Sequence, residues 1–352
     1  MTKEQTKREA LAESWRFFAE TECKGYSPLY QAITSACANS DDVMEFLSSL
    51  PGHAHQPNLL LAAMHERVLL DLEPELSALY SDNQVRGVGA LFVEAVLQSQ
   101  EQLRPILSSR FTQTNEIGRV AIIAPALAAI PNRDNVTLID VGTSAGLTLQ
   151  LDECFIDYGL HGSLGPHDST VRIKSEVLSG NPPRPSISIG RRIGIDRNIL
   201  NPADDDDARW LLACVWPDTG RLDRTRAALE LAASRPSELI EGDALETLSD
   251  VLSSVQGPIV VTTTWVVAYM DVEYRARLSA ELMAASRERD IHWISAEAPG
   301  VVSHLPAVEP PQVEGPLPSV IGLVTFRTGE IADTRVLAHA HSHGSWIWWY
   351  DQ

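Results

Sequence analysis

Apolar residues in the first ~110 positions recur at the spacing of amphipathic helices. Leu11, Trp15 and Phe18 fall on one helical face. Ser27 and Pro28 have the form of an N-cap followed by a first-turn proline. The same spacing continues through residues 28–38, 58–70 and 85–108. We therefore predict an N-terminal helical region over residues 1–115.

The pattern changes after Arg119, where short β-branched runs alternate with helical segments. Strand-like runs occupy residues 136–142, 187–190, 238–243, 258–265, 291–297 and 319–326, and a C-terminal Trp-Ile-Trp-Trp-Tyr. Helical patterns occupy residues 144–153, 205–216, 222–233 and 273–289. This alternation is typical of βαβ units with helices on both faces of a parallel sheet. We predict an α/β domain over residues 116–352, with a seven-stranded, Rossmann-like, mostly parallel sheet. Its last two strands should form an antiparallel hairpin at one edge, with a turn near Thr328-Gly329.

Two stretches interrupt this alternation. Residues 155–186 contain the strand-like run Val-Arg-Ile-Lys-Ser-Glu-Val, and we interpret them as an inserted hairpin and loop. Residues 299–318 carry six prolines, too many for a helix or a central strand. This Pro-rich loop is either a solvated connection or a lid beside the site, since long loops in compact domains are often functional.

The composition narrows the classes of partner. Lys and Arg number 28 against 47 Asp and Glu, which gives a formal net charge of −19. A surface this acidic repels phosphate backbones and anionic lipids, so we expect a small-molecule substrate, no nucleic acid and no membrane. The four cysteines are widely spaced without a C-x-x-C pair, which favours a reducing compartment. The charged N-terminus does not resemble a signal peptide, and we expect a cytoplasmic protein.

The segment with the clearest chemistry runs from Asp140 to Gly146, where a strand enters a Gly-rich turn. An acidic residue followed by small residues is typical of the cofactor loop of class I S-adenosylmethionine-dependent methyltransferases. Glycines at 142 and 146 would let backbone approach the cofactor, beside Thr143 and Ser144. A nicotinamide fingerprint is excluded, because the second and third glycines of G-x-G-x-x-G are replaced here.

The same five residues, Gly142 to Gly146, also satisfy G-x-S-x-G, the nucleophile elbow of α/β-hydrolases, with Ser144 as nucleophile. His339, His341 and His343 follow Ser144 and several acidic residues, which is the chain order Ser…Asp/Glu…His of the hydrolase triad. Two observations count against this alternative. Only helical patterns precede the motif, and no HGGG-type oxyanion segment lies upstream. We favour the methyltransferase and keep the hydrolase as an alternative.

From about Pro28 to the C-terminus, the chain resembles the domain-of-unknown-function 2332 family. That family is methyltransferase-like and largely uncharacterised, so the resemblance implies a methyltransferase-type sheet and supplies no substrate. The blocks that carry it are TQTNEIGR (112–119), DVGTSAGL (140–147), FIDYG (155–159), ARWLLACVWP (208–217), EGDALETL (241–248), WISAEAPG (293–300) and HSHGSW (341–346).

Further residues complete the predicted site for S-adenosylmethionine or its product, S-adenosylhomocysteine. Asp196, or alternatively Asp157, would bind the ribose hydroxyls. Arg119 could hold the cofactor carboxylate through a bidentate pair. The other cofactor-binding candidates follow the third and fourth predicted strands: Asp243, Ala244 and Thr264. No Asn/Asp-Pro-Pro-Tyr motif follows the fourth strand, which argues against methylation of nucleic acid.

A methyl acceptor with a hydroxyl or a protonated amine needs a general base. The candidates are Glu116, Glu297, His341 and His343, and we favour Glu297 and His343. His339, His341 and His343 alternate, so we expect them on one face of a strand. No carboxylate cluster accompanies them, and we predict no metal.

The leading hypothesis is methyl transfer to a nitrogen or oxygen atom of a small molecule. A third alternative, besides the hydrolase, is a catalytically silent fold that binds an adenosyl ligand or a partner protein.

Overall fold

The computed structural model describes residues 3–313 and 317–351. The chain divides into two compact units: a helical unit, Met1–Thr114 with Asp204–Arg226, and an α/β unit, Asn115–Ala203 with Ala227–Gln352. The sequence predicts a single boundary near residue 115. The structure adds a second segment to the helical unit from within the α/β sequence.

The α-helices of the described residues follow the predicted pattern closely in the first half of the chain. They are α1 (Lys3–Phe18), α2 (Pro28–Ala38), α3 (Asp41–Ser48), α4 (Pro57–Leu69), α5 (Pro74–Ser81), α6 (Val88–Gln98), α7 (Gln100–Ser109), α8 (Val120–Ile123), α9 (Asp205–Ala213), α10 (Leu222–Ser234), α11 (Ala244–Ser254) and α12 (Val272–Ala285). None of these helices is long and apolar enough to cross a membrane, within the residues that the structure describes.

The second segment of the helical unit holds the beginning of α2. Ser27 is the N-cap, and its side chain accepts a hydrogen bond from the backbone N–H of Tyr30. The carboxylate of Asp218 accepts a hydrogen bond from the Ser27 hydroxyl at 2.6 Å and another from the Leu29 N–H at 3.0 Å. Free N–H groups at a helix start need such acceptors, so residue 218 completes a cap that begins 191 positions earlier.

The strands of the described residues form two sheets. They are β1 (Val136–Val141), β2 (Phe155–Asp157), β3 (Ser163–Leu164), β4 (Arg172–Lys174), β5 (Glu176–Ser179), β6 (Ile189–Asp196), β7 (Glu238–Glu241), β8 (Ile259–Thr264), β9 (Ile291–Glu297), β10 (Ser319–Arg327), β11 (Glu330–Ala340) and β12 (Trp346–Trp349). The large sheet has the order β5-β12-β11-β10-β9-β8-β1-β6-β7, and the small sheet the order β3-β2-β4.

The centre of the large sheet is parallel, as the sequence predicts. Strand β1 pairs in parallel with β6 on one side and with β8 on the other. The chain passes from β1 outward through β6 to β7, and then returns to β8 on the opposite side of β1. Such a reversal is a topological switch point, and ligands of open α/β sheets bind in the crevice at the carboxyl ends of the strands there.

The prediction of seven strands is wrong: the large sheet has nine. The turn near Thr328-Gly329 does join an antiparallel pair, β10 and β11. That pair is not at an edge, because β12 and β5 continue the sheet beyond β11. The C-terminal aromatic run forms β12 and not the second strand of the hairpin, because the chain turns back once more after Ala340.

The inserted segment 155–186 contains more than a hairpin. Strand β2 pairs antiparallel with β3 and parallel with β4, which gives the small sheet. Strand β5 leaves this sheet and pairs in parallel with β12 of the large one. The Pro-rich loop forms neither helix nor strand in its described part, as its prolines predict.

Candidate functional site

The turn after β1 is built from residues with left-handed backbone. Gly142 has a φ of +80°, Ser144 of +55° and Gly146 of +72°. The N–H groups of Gly142 and Thr143 both donate to the carbonyl of Ile195 in β6, at 2.8 and 3.3 Å. The motif of small residues therefore forms a tight turn fastened to the neighbouring strand. Left-handed backbone at Ser144 is a strained position for a residue with a side chain.

The space in front of Gly142 is filled by the protein itself. A Cβ built on Gly142 would lie 2.5 Å from Cγ2 of Val266, which follows β8. The small residue at this position predicts a cofactor in this space. In the structure the missing side chain allows Val266 to pack against the turn.

Asp140 is buried in β1, 2% exposed, and both of its carboxylate oxygens accept hydrogen bonds. The hydroxyl of Thr148 donates to one oxygen and that of Thr262 to the other, each at 2.7 Å. Burial raises the pKa of Asp140, and the hydroxyl donors oppose the rise. Asp140 thus joins β1 to the following turn and to β8.

Asp196 ends β6 and faces the same turn. Its Oδ2 accepts a hydrogen bond from the Ser144 N–H at 2.8 Å, and its Oδ1 one from the Asn198 N–H at 3.0 Å. A carboxylate offers about four acceptor positions, so these two bonds leave room for two more donors. The alternative ribose ligand, Asp157, ends β2 in the small sheet, where its carboxylate accepts from the Gly159 N–H.

Asp243 follows β7 and is the N-cap of α11, which begins at the buried Ala244. Its Oδ1 accepts from the Leu245 N–H at 2.9 Å and from the Tyr274 hydroxyl at 2.7 Å. Its Oδ2 pairs with the guanidinium of Arg197. Burial acts to raise the pKa of Asp243, but the bonds from Tyr274 and Arg197 outweigh it and leave the pKa below its ordinary value. All acceptor positions of this carboxylate are in use.

Arg119 is buried, 6% exposed, just ahead of α8. Its Nε donates to the carbonyl of Ser342, and its Nη1 to the carbonyl of Thr264, both at 3.0 Å. Burial lowers the pKa of Arg119, and the charges of Glu116, Glu297 and Asp140 oppose the decrease. The guanidinium of Arg119 thus joins the carboxyl end of β8 to the turn before β12, and the negative charges of three carboxyl groups favour its charged form.

The two carboxylates proposed as bases both support backbone. Glu116 accepts from the Gly118 N–H at 2.8 Å. Glu297 accepts from the N–H groups of Val266 and Val267 at 3.1 Å, and from that of Ala268 at 3.2 Å. Burial raises the pKa of Glu297, while these three bonds and Arg119 oppose the rise.

The histidines do not share a strand face, contrary to the prediction. Strand β11 ends at Ala340, so His339 lies in the strand while His341 and His343 lie in the turn before β12. His339 is fully buried, with its Nδ1 2.7 Å from the Tyr350 hydroxyl. The His343 N–H donates to Nδ1 of His341 at 3.1 Å. Within the described ranges, no group of three or more His, Cys, Asp and Glu side chains is placed to hold a metal ion.

Most of the predicted residues therefore lie at or just beyond the carboxyl ends of the central strands. The 142–146 turn, Asp196 and Asp243 follow β1, β6 and β7. Arg119 joins Thr264 to the turn that carries His341 and His343 through the Ser342 carbonyl. Sequence reasoning missed the hydroxyl donors that surround the carboxylates, because they come from distant segments and have no local signature: Thr148, Thr262 and Tyr274.

One family model, described as "Uncharacterized protein conserved in bacteria (DUF2332)", matches residues 12–349. The comparison with curated proteins finds no match to the chain.

Proposed function

The chain belongs to the DUF2332 family, and because that family's description names no activity, we propose a function from the site: S-adenosylmethionine-dependent methyl transfer to a nitrogen or oxygen atom of a small molecule. One observation carries this proposal. A Gly-rich turn after the central strand lies at a topological switch point, and the neighbouring strand ends in a carboxylate, Asp196, that is bonded to the turn. This is the place where open α/β sheets bind nucleoside cofactors.

The residues present fit two parts of the cofactor. Asp196 keeps two acceptor positions, which is the number that a ribose diol needs. Arg119 has five N–H groups, of which the carbonyls of Ser342 and Thr264 take two, so its remaining donors can bind a carboxylate. Asp243 fits less directly. An adenine amino group would have to displace Arg197, whose side chain is 71% exposed.

When bound, S-adenosylmethionine supplies an electrophilic methyl carbon, and its transfer to an acceptor lone pair leaves S-adenosylhomocysteine and frees one proton from the acceptor. The residues of the chain hold the reactants and accept that proton. Asp196 binds the ribose and Arg119 the carboxylate. Glu297 is the first proton acceptor that we propose, because it is a buried carboxyl group at the carboxyl end of β9 and burial raises its pKa. His341, His343 and Glu116 are the further candidates.

The hydrolase alternative has one observation in its favour. Ser144 follows a strand on a left-handed turn, as a nucleophile elbow requires. The described residues before β1, however, form helices and turns and not the strands that precede such an elbow.

Calorimetry with S-adenosylmethionine and S-adenosylhomocysteine tests the proposal. We expect the wild type to bind both, and Asp196→Asn to weaken binding at least tenfold. Asp157→Asn, the matched change at the alternative ribose ligand, should leave affinity unchanged. No binding by the wild type, or equal binding by Asp196→Asn, would reject the proposal. Rapid labelling of Ser144 by a fluorophosphonate would favour the hydrolase, and cofactor binding without turnover across acceptors would favour the silent fold.

A further inference from the structure

One face of β9 changes from apolar to polar along its length. Side chains two positions apart share a face of a strand. Ile291 and Trp293 belong to the apolar core between this face of the sheet and helices α11 and α12. Ser295 and Glu297 continue the same face toward the carboxyl end, and each is 1% exposed. Two polar side chains therefore follow the core at the end of the strand where the candidate site lies.

A cavity of about 280 Å³ lies over these two residues, beneath the Pro-rich loop. Its walls are mainly apolar, and they include Val302, Leu305 and Pro306 from the loop and Val320 from β10. Val320 is directly opposite Glu297 in the β9–β10 pair.

The loop is fixed against the sheet by its own side chains. Val302 is buried. Leu305 lies against Gly322, where a Cβ would be only 2.1 Å from Leu305 Cδ1. His304 Nε2 is 2.6 Å from the Ser279 hydroxyl of α12. The loop is thus a packed wall of the cavity.

The polar groups of the cavity call for a ligand that donates hydrogen bonds. The Ser295 Oγ is buried and has no hydrogen-bond partner among the described residues, an arrangement that costs free energy unless a ligand completes it. Glu297 makes three hydrogen bonds, which leaves about one of its four acceptor positions. The described residues that line the cavity include one carboxyl group, that of Glu297, and no Lys or Arg. A cationic donor therefore complements the remaining acceptor position of Glu297.

We propose that this cavity binds a small molecule with an apolar body and a protonated amine, and that this amine is the methyl acceptor, a role that rests on the proposed function. The ammonium group donates to Glu297 and to Ser295, and the apolar walls surround the rest. Because an ammonium nitrogen has no lone pair, one of its protons would first pass to Glu297, and the free amine would then take the methyl group as the bond between that carbon and sulfur breaks. A volume of this size equals that of about nine liquid water molecules, which suits a compound such as benzylamine. An anionic analogue is repelled by Glu297.

The test measures binding of three matched probes to the full chain without cofactor, by ligand-observed NMR and calorimetry. The probes are benzylamine, benzyl alcohol and benzoate. We expect benzylamine to bind at least tenfold more tightly than benzyl alcohol, and benzoate not to bind. Equal binding of the three probes, or no binding of benzylamine, would overturn the proposal.

Variants locate the bound probe. Val320→Phe fills the cavity and should abolish benzylamine binding, whereas Val85→Phe, the same change at an exposed residue of the helical unit, should not. Glu297→Gln should weaken binding at least tenfold, whereas Glu309→Gln, on the exposed part of the same loop, should not. Benzylamine binding that survives both Val320→Phe and Glu297→Gln places the amine elsewhere and contradicts the proposal.

Ser295→Ala gives a measurement that does not depend on a fragile variant. Removing a buried hydroxyl without a partner should leave the melting temperature unchanged or higher, while benzylamine binding weakens several-fold. A lower melting temperature with unchanged benzylamine binding would contradict the assigned role of Ser295.

The two proposals fail separately. Benzylamine binding without any binding of S-adenosylhomocysteine overturns the methyltransferase and leaves the cavity assignment. The reverse result overturns the cavity assignment alone.

Discussion

The side chain of Val266 occupies the position that a side chain on Gly142 would need, with its Cγ2 2.5 Å from the site of that Cβ. The two residues lie after adjacent parallel strands, β1 and β8. Their contact locks the turn of the candidate site to the backbone that Glu297 holds through the N–H groups of Val266 and Val267. A substitution at Gly142 would therefore disturb the packing of Val266 directly, whether or not a ligand binds beside the turn.

Gly142→Ala should lower the free energy of unfolding by about 2 kcal/mol or more, because left-handed backbone strain adds to overpacking. Gly257→Ala is the matched control. It has a φ of +86° and no neighbour closer than 3.9 Å, so it should show the strain alone, about 1–2 kcal/mol. Urea unfolding measures both, and Val266→Ala should recover part of the loss. Equal losses at the two glycines would show that the contact with Val266 carries no energy.

Arg119→Leu should destabilise the α/β unit by about 3–5 kcal/mol at neutral pH, because it leaves buried carboxylates without their cation. The loss should be smaller at pH 5, where those carboxyl groups can take up protons. Arg119→Lys should be less stable than the wild type but more stable than Arg119→Leu. The ammonium keeps the charge but cannot reproduce the two directed bonds to the carbonyls of Ser342 and Thr264. Urea unfolding at pH 5 and pH 8 measures this. A loss that does not depend on pH would indicate that packing, not charge, is what Arg119 supplies.

His65 should make the helical unit sensitive to acid. Burial lowers the pKa of His65 from 6.5 to about 4, although the carbonyl of Ala213 accepts a hydrogen bond from its ring at 3.1 Å. Between these two values the unfolded chain binds more protons than the folded one. The contribution of His65 to the free energy of unfolding is therefore fully present above pH 6.5. It is lost as the pH falls toward 4, by up to about 1.4 kcal/mol per pH unit.

His65→Gln should flatten that dependence, and His167→Gln, at an exposed histidine, should not. Unfolding free energies measured in steps from pH 7 to pH 4 decide the point. Parallel curves for the wild type and His65→Gln would mean that another group carries the acid sensitivity.

Glu297→Gln should lower turnover by ~10²-fold with an amine acceptor, because it removes the proton acceptor. The affinity for S-adenosylhomocysteine, measured alongside, shows whether the loss of a backbone hydrogen bond also disturbs the cofactor turn. His343→Ala should act in the same way if the turn before β12 supplies the second acid–base group. The pH profile of kcat separates these roles from a structural one, since loss of the base removes a limb of the profile. Wild-type turnover by both variants would place the base elsewhere.

Gly322→Val should free the Pro-rich loop, because the new side chain displaces Leu305 from the sheet. The expected result is faster cleavage between residues 299 and 313 in limited proteolysis, with the rest of the chain as resistant as before. Adding Leu305→Ala should remove the clash and restore slow cleavage in part. Unchanged cleavage would show that Leu305 does not hold the loop.

Strong local patterns predicted much of the fold. The β-branched runs marked β1, β8 and β9, and the prolines marked the long loop. The predicted strand-like run at 171–177 covers β4 and the first two residues of β5. Glu176–Ser179 was not recognised as a strand of its own, because it is only half buried and has no clear alternation. The end of β11 was anticipated only through the alternating histidines, and the rest of the strand was missed because its first half is polar and partly exposed. Strong patterning requires a face that is buried along the whole strand, and β5 and the first half of β11 lack one.

The candidate site divides in the same way. The small residues after β1 and the acids at strand ends are local features, and they could be located from the sequence. Their hydrogen-bond partners within the chain could not be predicted, because these partners depend on which strands are neighbours in the sheet. Arg119 and Thr264 are 145 positions apart, and Asp196 and Ser144 are 52 apart. Ser295 and Glu297 were a usable signal of the cavity, since period-two alternation places both on the face of β9 that otherwise carries Ile291 and Trp293.

Asp218 and the beginning of α2 have a consequence for synthesis on the ribosome. The helical unit includes Asp204–Arg226, and the Ser27 hydroxyl and the Leu29 N–H find their acceptor only in that segment. At the usual 5–20 residues per second, residue 226 is added roughly 5 to 20 s after residue 114. During that interval the first helices have been translated but lack part of their own core. A chaperone that binds exposed apolar surface should therefore associate with nascent chains that end between residues 114 and 203, and release them once residue 226 has left the exit tunnel.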